Sequence, residues 1–321
     1  MTSRNEWDQL KKVIVGVADH AIIPEMDKSL RTINYADRLD VSSVKTGPYP
    51  QQVIDEANED LEIFCNFLRK ESVEVLRPDR ELTNYYNYCP RDSVFIHGDL
   101  VVATPQPLRA RAGNWRSFKK HLRNVVEMPC SYHDGLYNEN CLGNPDILAL
   151  TELTPAFDAA NAIRANEDVL YLQSNSGNAS GANLLQSLLG VDAKVSVVKD
   201  IYTYVHIDTT IAFLREGLLM VNPTRVTDSK TQLPYPFNTW DVIEAPEPID
   251  IGHYPEYNNA SEWCNMNLFS VSPNLVALEE HQHPTREILE TYDIECAMLP
   301  MRHQRTLSGG FHCVTLDLER G

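Results

Sequence analysis

Four times along the chain a turn-forming residue opens a short run rich in Val and Leu: DLVVATP from Asp99, DVLYLQS from Asp168, GLLMVNP from Gly217 and NLVALEE from Asn274. Each reads as a short strand, because aliphatic and β-branched residues bounded by turn residues fit a covered, pleated surface. About ten residues upstream of each lies a second strand candidate, a spacing that suits a hairpin. These partners are RDSVFI, FDAANAI, HIDTTIAF and NMNLFSV, and three of them open with an aspartate: Asp92, Asp158 and Asp208.

A third strand candidate follows a helix or a long connection in several places, as VEVLRP, VSVVKD, WDVIEAP and ECAMLP. The helices show as three- and four-residue steps. Ile54, Ala57, Leu61, Phe64 and Leu68 share one face of QQVIDEANEDLEIFCNFLRKE. SGANLLQSLLG and TREILETY are shorter versions. A unit of three strands and a helix thus repeats, with the N-terminal KKVIVGV and the C-terminal GFHCVTL supplying pieces of the last copy. Repeats of this length predict arrayed modules rather than one long sheet, and radial arrays surround a central channel. If equivalent strand starts face inward, Asp92, Asp158, Asp208 and Cys313 share one cavity. The competing architecture is a doubly wound sheet, but no GxGxxG or Walker-type loop follows any strand.

Composition narrows the partners. The 321 residues, 43% of them hydrophobic, are enough for a full core. A formal charge of −17 and a pI near 5.0 argue against nucleic acid, which needs clustered Lys and Arg, and against anionic membranes. MTSRNEWDQLKKVIVGV holds no apolar run of signal-peptide length, and no stretch is apolar enough to span a bilayer, so a cytoplasmic protein is expected. The seven cysteines (Cys65, Cys89, Cys130, Cys141, Cys264, Cys296 and Cys313) are odd in number, scattered and free of CxxC pairs. Neither a disulfide scaffold nor structural zinc fits them. His281 and His283 lack further ligands at helical spacing and read as a solvated loop before Pro284. The N-x-S sequons at Asn178 and Asn259 carry no weight without a secretion signal.

Near its end the chain reads TLSGGFHCVTLDLERG, with Cys313 eight residues from the last. The pair Gly309 and Gly310 lets the backbone turn sharply or approach a ligand closely. A cysteine beyond such a turn is presented to whatever occupies the space.

With these residues gathered, the chain resembles the arginine:amine amidinotransferases, members of the guanidine-modifying superfamily that also holds the arginine deiminases. NEWDQLKKVIVGVAD is similar to the family's opening strand, and YCPRDSV to its C-P-R-D segment. PAFDAANAIR, VHIDTTI, VNPTRV and LSGGFHC resemble its F-D-A-A, H-I-D, N-P-x-R and G-G-G-F-H-C segments, in the same order. TGPYP, SNSGN and YTYVHIDTTI place the nearest likeness in the inosamine-phosphate (aminocyclitol) branch rather than the glycine branch. The resemblance implies an α/β fold: a five-bladed propeller of pseudo-fivefold symmetry (the pentein fold), built as one domain over residues 1–321 from ββαβ-type modules.

It also implies roles. Cys313 is the nucleophile that attacks the guanidinium carbon, giving an amidino-cysteine and releasing ornithine. His206 protonates the leaving amine and then takes a proton from the acceptor amine. Asp158 orients that imidazole. Asp92 and Asp208 bind the planar guanidinium by paired, charge-assisted hydrogen bonds. Arg225 binds the donor's α-carboxylate, and Ser261 contacts the donor. His312 is a positioning group whose side chain, in a strand, faces away from that of Cys313. Sulfur, imidazole and carboxylates suffice, so no metal and no cofactor is expected. The partners are small molecules, L-arginine and an amine acceptor, and a homodimer is the one assembly considered.

The chain departs from the family at four places. Ser308 replaces the first of three glycines, which a negative φ there would tolerate. The family's R-S-R-F segment is only echoed by LRARAGNWRSF, the stretch from Cys130 to Pro145 is shorter, and the run after Cys313 is brief. The acceptor is open between an aminocyclitol phosphate, glycine, lysine and a polyamine; Arg109, Arg111 and Lys119 are the candidates for a phosphate. Two competing functions are a deiminase-like hydrolase, making citrulline and ammonia, and a silent arginine-binding protein.

Overall fold

Every one of the recurring apolar runs pairs as a strand. The computed structural model describes residues 2–38, 40–80 and 86–321. They form five three-stranded sheets and a two-stranded ribbon, Ile22–Ile23 with Gly47–Pro48. In all five sheets the central strand pairs antiparallel with one neighbour and parallel with the other. This is a five-bladed α/β propeller.

Four blades are continuous in sequence. They are Val94–His97, Leu100–Ala103 and Val125–Glu127; Ala162–Ala165, Asp168–Leu172 and Lys194–Val198; Ile211–Arg215, Leu218–Val221 and Asp241–Glu244; and Phe269–Ser272, Leu275–Glu279 and Glu295–Leu299. The closing blade joins the two ends of the chain. Leu10–Val15 pairs antiparallel with Thr315–Arg320 and parallel with Glu74–Leu76.

The helix sits between the second and third strands of a blade, because a parallel pair needs a crossover long enough to return to the same edge. Gln51–Lys70, Ala179–Leu189 and His283–Glu290 fill that place in three blades. His283 therefore opens a helix rather than lying in a loop. In the other two blades the expected helix is replaced by short turns, the 3-10 stretch Asn114–His121 and the single turn Ser229–Gln232. In the first of these, Trp115 and Phe118 are both buried at the three-residue spacing that a 3-10 helix stacks on one side.

Helix Gln51–Lys70 buries the face read from its sequence, Ile54, Ala57, Leu61, Phe64 and Leu68. Phe64 meets Phe311 edge to face with ring centres 4.9 Å apart, so the helix packs directly behind the turn that carries Cys313. Burying such a ring contributes roughly 1.5–3 kcal/mol. Asp60 falls on the same buried face and is matched by Arg302, whose Nε donates to Oδ1 at 2.9 Å.

The inner ends of the blades carry the site. Short 3-10 turns precede the inner strands at Pro90–Asp92, Ala159–Asn161, Ile207–Thr209 and Glu262–Met266, and each packs on the next. Residues Phe311–Val314 take the fifth position as a turn, so Cys313 precedes its strand instead of lying within it as GFHCVTL suggested. Thr315–Arg320 packs back on Pro90–Asp92 and closes the ring.

A buried ionic hub ties these pieces together. Asp317 accepts from Arg164 Nη2 at 2.6 Å, Arg91 Nη2 at 2.7 Å and Arg320 Nε at 2.7 Å. Glu6 binds the fork of Arg164, Nε to Oε1 and Nη2 to Oε2, both at 2.8 Å. Burying charge is costly unless each ion is paired and hydrogen-bonded, and here each carboxylate has more than one cationic partner.

Candidate active site

All seven residues singled out in the sequence line one cavity of about 610 Å³: Asp92, Asp158, His206, Asp208, Arg225, Ser261 and Cys313. Four separate turns deliver the acid, base and sulfur groups. Asp92 ends the turn Pro90–Asp92, Asp158 caps Ala159–Asn161, and His206 and Asp208 flank Ile207 at the third. Cys313 comes from the turn that begins the closing strand.

Cys313 is buried, with its backbone N–H donating to Asn267 Oδ1 at 2.9 Å. Its Sγ lies 3.2 Å from Asp208 Oδ2. The thiol's pKa is pushed well above the ordinary value by a hydrogen bond to Cys89, by burial and by the Asp208 carboxylate, while His206 pulls it back. His206 Nε2 lies 3.0 Å from Asp158 Oδ2 and its Nδ1 3.7 Å from Asp92 Oδ1. Burial disfavours its charged form, but Asp92, Asp158 and Cys313 raise the imidazole well above its usual range. For Asp208, burial is likewise outweighed: His312, His206 and Cys313 hold its carboxyl far below the usual range.

The cavity thus presents a buried thiol, an imidazole favoured as a cation, and the carboxylates of Asp92, Asp158 and Asp208. Asp92 Oδ1 is buried without a hydrogen-bond partner. An acceptor left unpaired is costly, and an N–H donor in the cavity satisfies it. Arg225 turns its Nη1 to Thr209 O, Thr209 Oγ1 and Thr210 Oγ1, at 2.8 to 3.0 Å. Its guanidinium lies 3.7 Å from the centre of the Tyr202 ring, a stacking that fixes the plane of the fork. Ser261 is exposed at the head of the turn Glu262–Met266.

The glycines act through space rather than backbone freedom. A Cβ on Gly309 would sit 2.5 Å from Cys89 Sγ and 2.9 Å from Cys313 Cβ, and one on Gly310 2.8 Å from Asn267 Cβ. It is Ser308 that takes the left-handed conformation, φ +59°, contrary to the negative φ expected for a tolerated serine. That conformation carries a steric cost that a glycine there would relieve.

His312 does not face away. Because Phe311–Val314 is a turn, its Nδ1 reaches Asp208 Oδ2 at 2.9 Å, the same oxygen that Cys313 meets. Arg111 lines the cavity, yet it hydrogen-bonds Asp92 Oδ2 and stands 3.9 Å from Asp158 Oδ2, deep among the acids rather than at the mouth. The sequence held no sign of this, since Asp92 and Arg111 meet only through the blade's own hairpin. Arg109 lies over Tyr132 and Tyr137, Lys119 over Trp115, and neither is among the lining residues. Arg38 and Arg305, which sequence reasoning did not single out, do line the cavity.

No family model matches the chain. It is 37% identical to inosamine-phosphate amidinotransferase 1 of Streptomyces glaucescens, over 98% of this chain and 95% of that one. It is 30% identical to the L-arginine:L-lysine amidinotransferase of Pseudomonas savastanoi pv. phaseolicola, over 99% and 94%. Among solved structures, the inosamine-phosphate amidinotransferase of Streptomyces griseus superposes with a TM-score of 0.93 at 35% identity, covering 99% of this chain and 96% of that one.

Proposed function

The chain belongs to the amidinotransferase family, and from that membership we propose that it moves the amidino group of L-arginine to a primary amine through an amidino-Cys313 intermediate, releasing L-ornithine. The observation that carries the reading is the meeting of Cys313, His206, Asp158, Asp92 and Asp208, remote in sequence, around one cavity.

The donor's guanidinium sits between Asp92 and Asp208, whose carboxylates match its fork of N–H groups. Asp92 Oδ1 gains the donor it lacks. The bound cation offsets the Asp208 field at the sulfur, so the thiol releases its proton to solvent and reacts as the thiolate. The thiolate forms a bond to the guanidinium carbon, and the C–N bond to ornithine breaks as His206 gives its proton to the leaving nitrogen. Asp158, on Nε2, keeps the ring oriented through this step. The acceptor amine then attacks the same carbon, His206 takes its proton, and the thiolate leaves. Arg225, with its plane fixed on Tyr202, takes the α-carboxylate, and Ser261 a polar contact beside it.

For the acceptor we favour an aminocyclitol phosphate, the substrate class in the name of the S. glaucescens relative; lysine, named for the P. savastanoi relative, is the second reading. Arg38, half-buried at the cavity and donating Nη2 to Asn258 O at 3.0 Å, is the cation best placed for a phosphate. We take residues 1–321 as a single catalytic unit. The hydrolytic alternative is not favoured by these relatives. Mass spectrometry of the protein mixed with arginine tests the reading: one amidino group appears on Cys313 and is absent from Cys313→Ala. Ornithine that forms only when an amine is supplied means transfer; citrulline and ammonia without one mean hydrolysis.

A further inference from the structure

We propose that Glu6 and His312 are a positioning pair behind the nucleophile: Glu6 anchors the His312 ring, and His312 fixes Asp208 and tempers its charge at Cys313. The inference rests on the reading of Cys313 as nucleophile and Asp208 as guanidinium clamp.

Both ring nitrogens of His312 meet carboxylates. Nδ1 lies 2.9 Å from Asp208 Oδ2, and Nε2 3.5 Å from Glu6 Oε2. The residue cannot swing away. Its N–H donates to Asn267 O at 3.2 Å, and its carbonyl accepts from Arg91 Nε and Thr315 Oγ1, both at 2.8 Å. Glu6 is equally fixed by the Arg164 fork, with Arg91 Nη1 at 3.4 Å. Burial pushes the Glu6 carboxyl up, but Arg164, His312 and Arg91 hold it well below the usual range, so it stays an anion. The charged and titratable groups around His312 are therefore Glu6, Asp208, Cys313 and Arg91, with Arg164 beyond Glu6.

Asp208 Oδ2 is shared by His312 and Cys313. A ring N–H held on that oxygen weakens the field that the sulfur feels from it. Glu6, which contacts neither substrate nor sulfur, thereby acts on the nucleophile two links away. The sign separates this from a direct effect. Removing a carboxylate near a thiol by itself lowers the thiol's pKa, whereas losing the donor that tempers Asp208 raises it.

The test uses the full chain without arginine and reads iodoacetamide alkylation of Cys313 on its own peptide, by mass spectrometry, across pH. His312→Gln is expected to raise the alkylation midpoint by roughly half a pH unit or more. Glu6→Gln is expected to raise it too, and to raise the KM for arginine in the transfer assay. In the His312→Gln background, Glu6→Gln should lower the midpoint or leave it in place. A Glu6→Gln midpoint unchanged or lowered in the otherwise native chain overturns the proposal. If Glu6→Gln does not fold, His312→Gln decides alone, and an unmoved midpoint sinks the pair. Failure of the amidinotransferase reading appears elsewhere, as the absence of an arginine-derived adduct on native Cys313.

Discussion

The sulfur of Cys313 and Oδ2 of Asp208 lie 3.2 Å apart, so the proposed nucleophile hydrogen-bonds one arm of the proposed guanidinium clamp. A carboxylate at that distance opposes thiolate formation, and it ceases to do so once a guanidinium neutralises it. In the mechanism proposed above, this arrangement holds the sulfur as a thiol until the donor arrives.

Asp208→Asn should therefore separate reactivity from turnover. With the carboxylate gone, Cys313 alkylates faster than in the native protein at pH 8, while arginine-dependent transfer drops by about a hundredfold or more through loss of the clamp. Slower alkylation in the variant contradicts the assigned role.

Asp158→Asn should lower the pKa of His206 by removing one of the groups that raise it. We expect kcat to fall by about a hundredfold or more, with the alkaline limb of its pH profile moved to lower pH. Stability follows the same sign. A histidine raised in the folded state contributes stability that is complete below its unfolded value of about 6.5 and is lost as pH rises through the folded value. The penalty of Asp158→Asn in urea titrations should thus be larger at pH 6 than at pH 10.

Gly309→Ala should disturb the nucleophile rather than the fold. Its Cβ meets Cys89 Sγ and Cys313 Cβ, so both side chains must shift. Overpacking of this kind costs about 1–3 kcal/mol. Formation of the amidino-cysteine, followed by mass spectrometry, is expected to slow at least about tenfold, with the circular dichroism spectrum unchanged.

Asp317→Asn should unravel the hub. Burial pushes the Asp317 carboxyl up, and Arg164, Arg91 and Arg320 overcome this and hold it well below the usual range. Removing its charge leaves three buried guanidinium groups short of a partner, and urea titration at pH 7 should show a loss of roughly 3–5 kcal/mol. A depressed carboxylate contributes stability that is present above its unfolded value of about 3.9 and lost as pH falls through the folded value. The gap between native and variant proteins should accordingly narrow below that point.

Much of this was legible along the chain. Local chemistry writes the strand pairs, so Leu100–Ala103 and Leu218–Val221 could be read from turn residues and apolar runs alone. The aspartates at the strand starts marked the inner turns, and motif order gathered Cys313 and His206. What stayed hidden depends on neighbours distant in sequence. Arg111, a candidate for a phosphate in the sequence, is instead taken up by Asp92 once the chain folds. His312 was assigned to the wrong side because strand alternation was assumed where the backbone makes a turn. Ser308 gave no hint of its left-handed φ, and Glu6 meets His312 only when the two ends of the chain come together.

That meeting sets an order on biosynthesis. A nascent chain emerging from the ribosome can assemble four blades, with Asp92, Asp158, His206 and Asp208 already on their turns, while Leu10–Val15 still waits for Thr315–Arg320. Cys313 is carried by the very segment that seals the ring, so the placing of its sulfur beside Asp208 and the closure of the propeller are a single event.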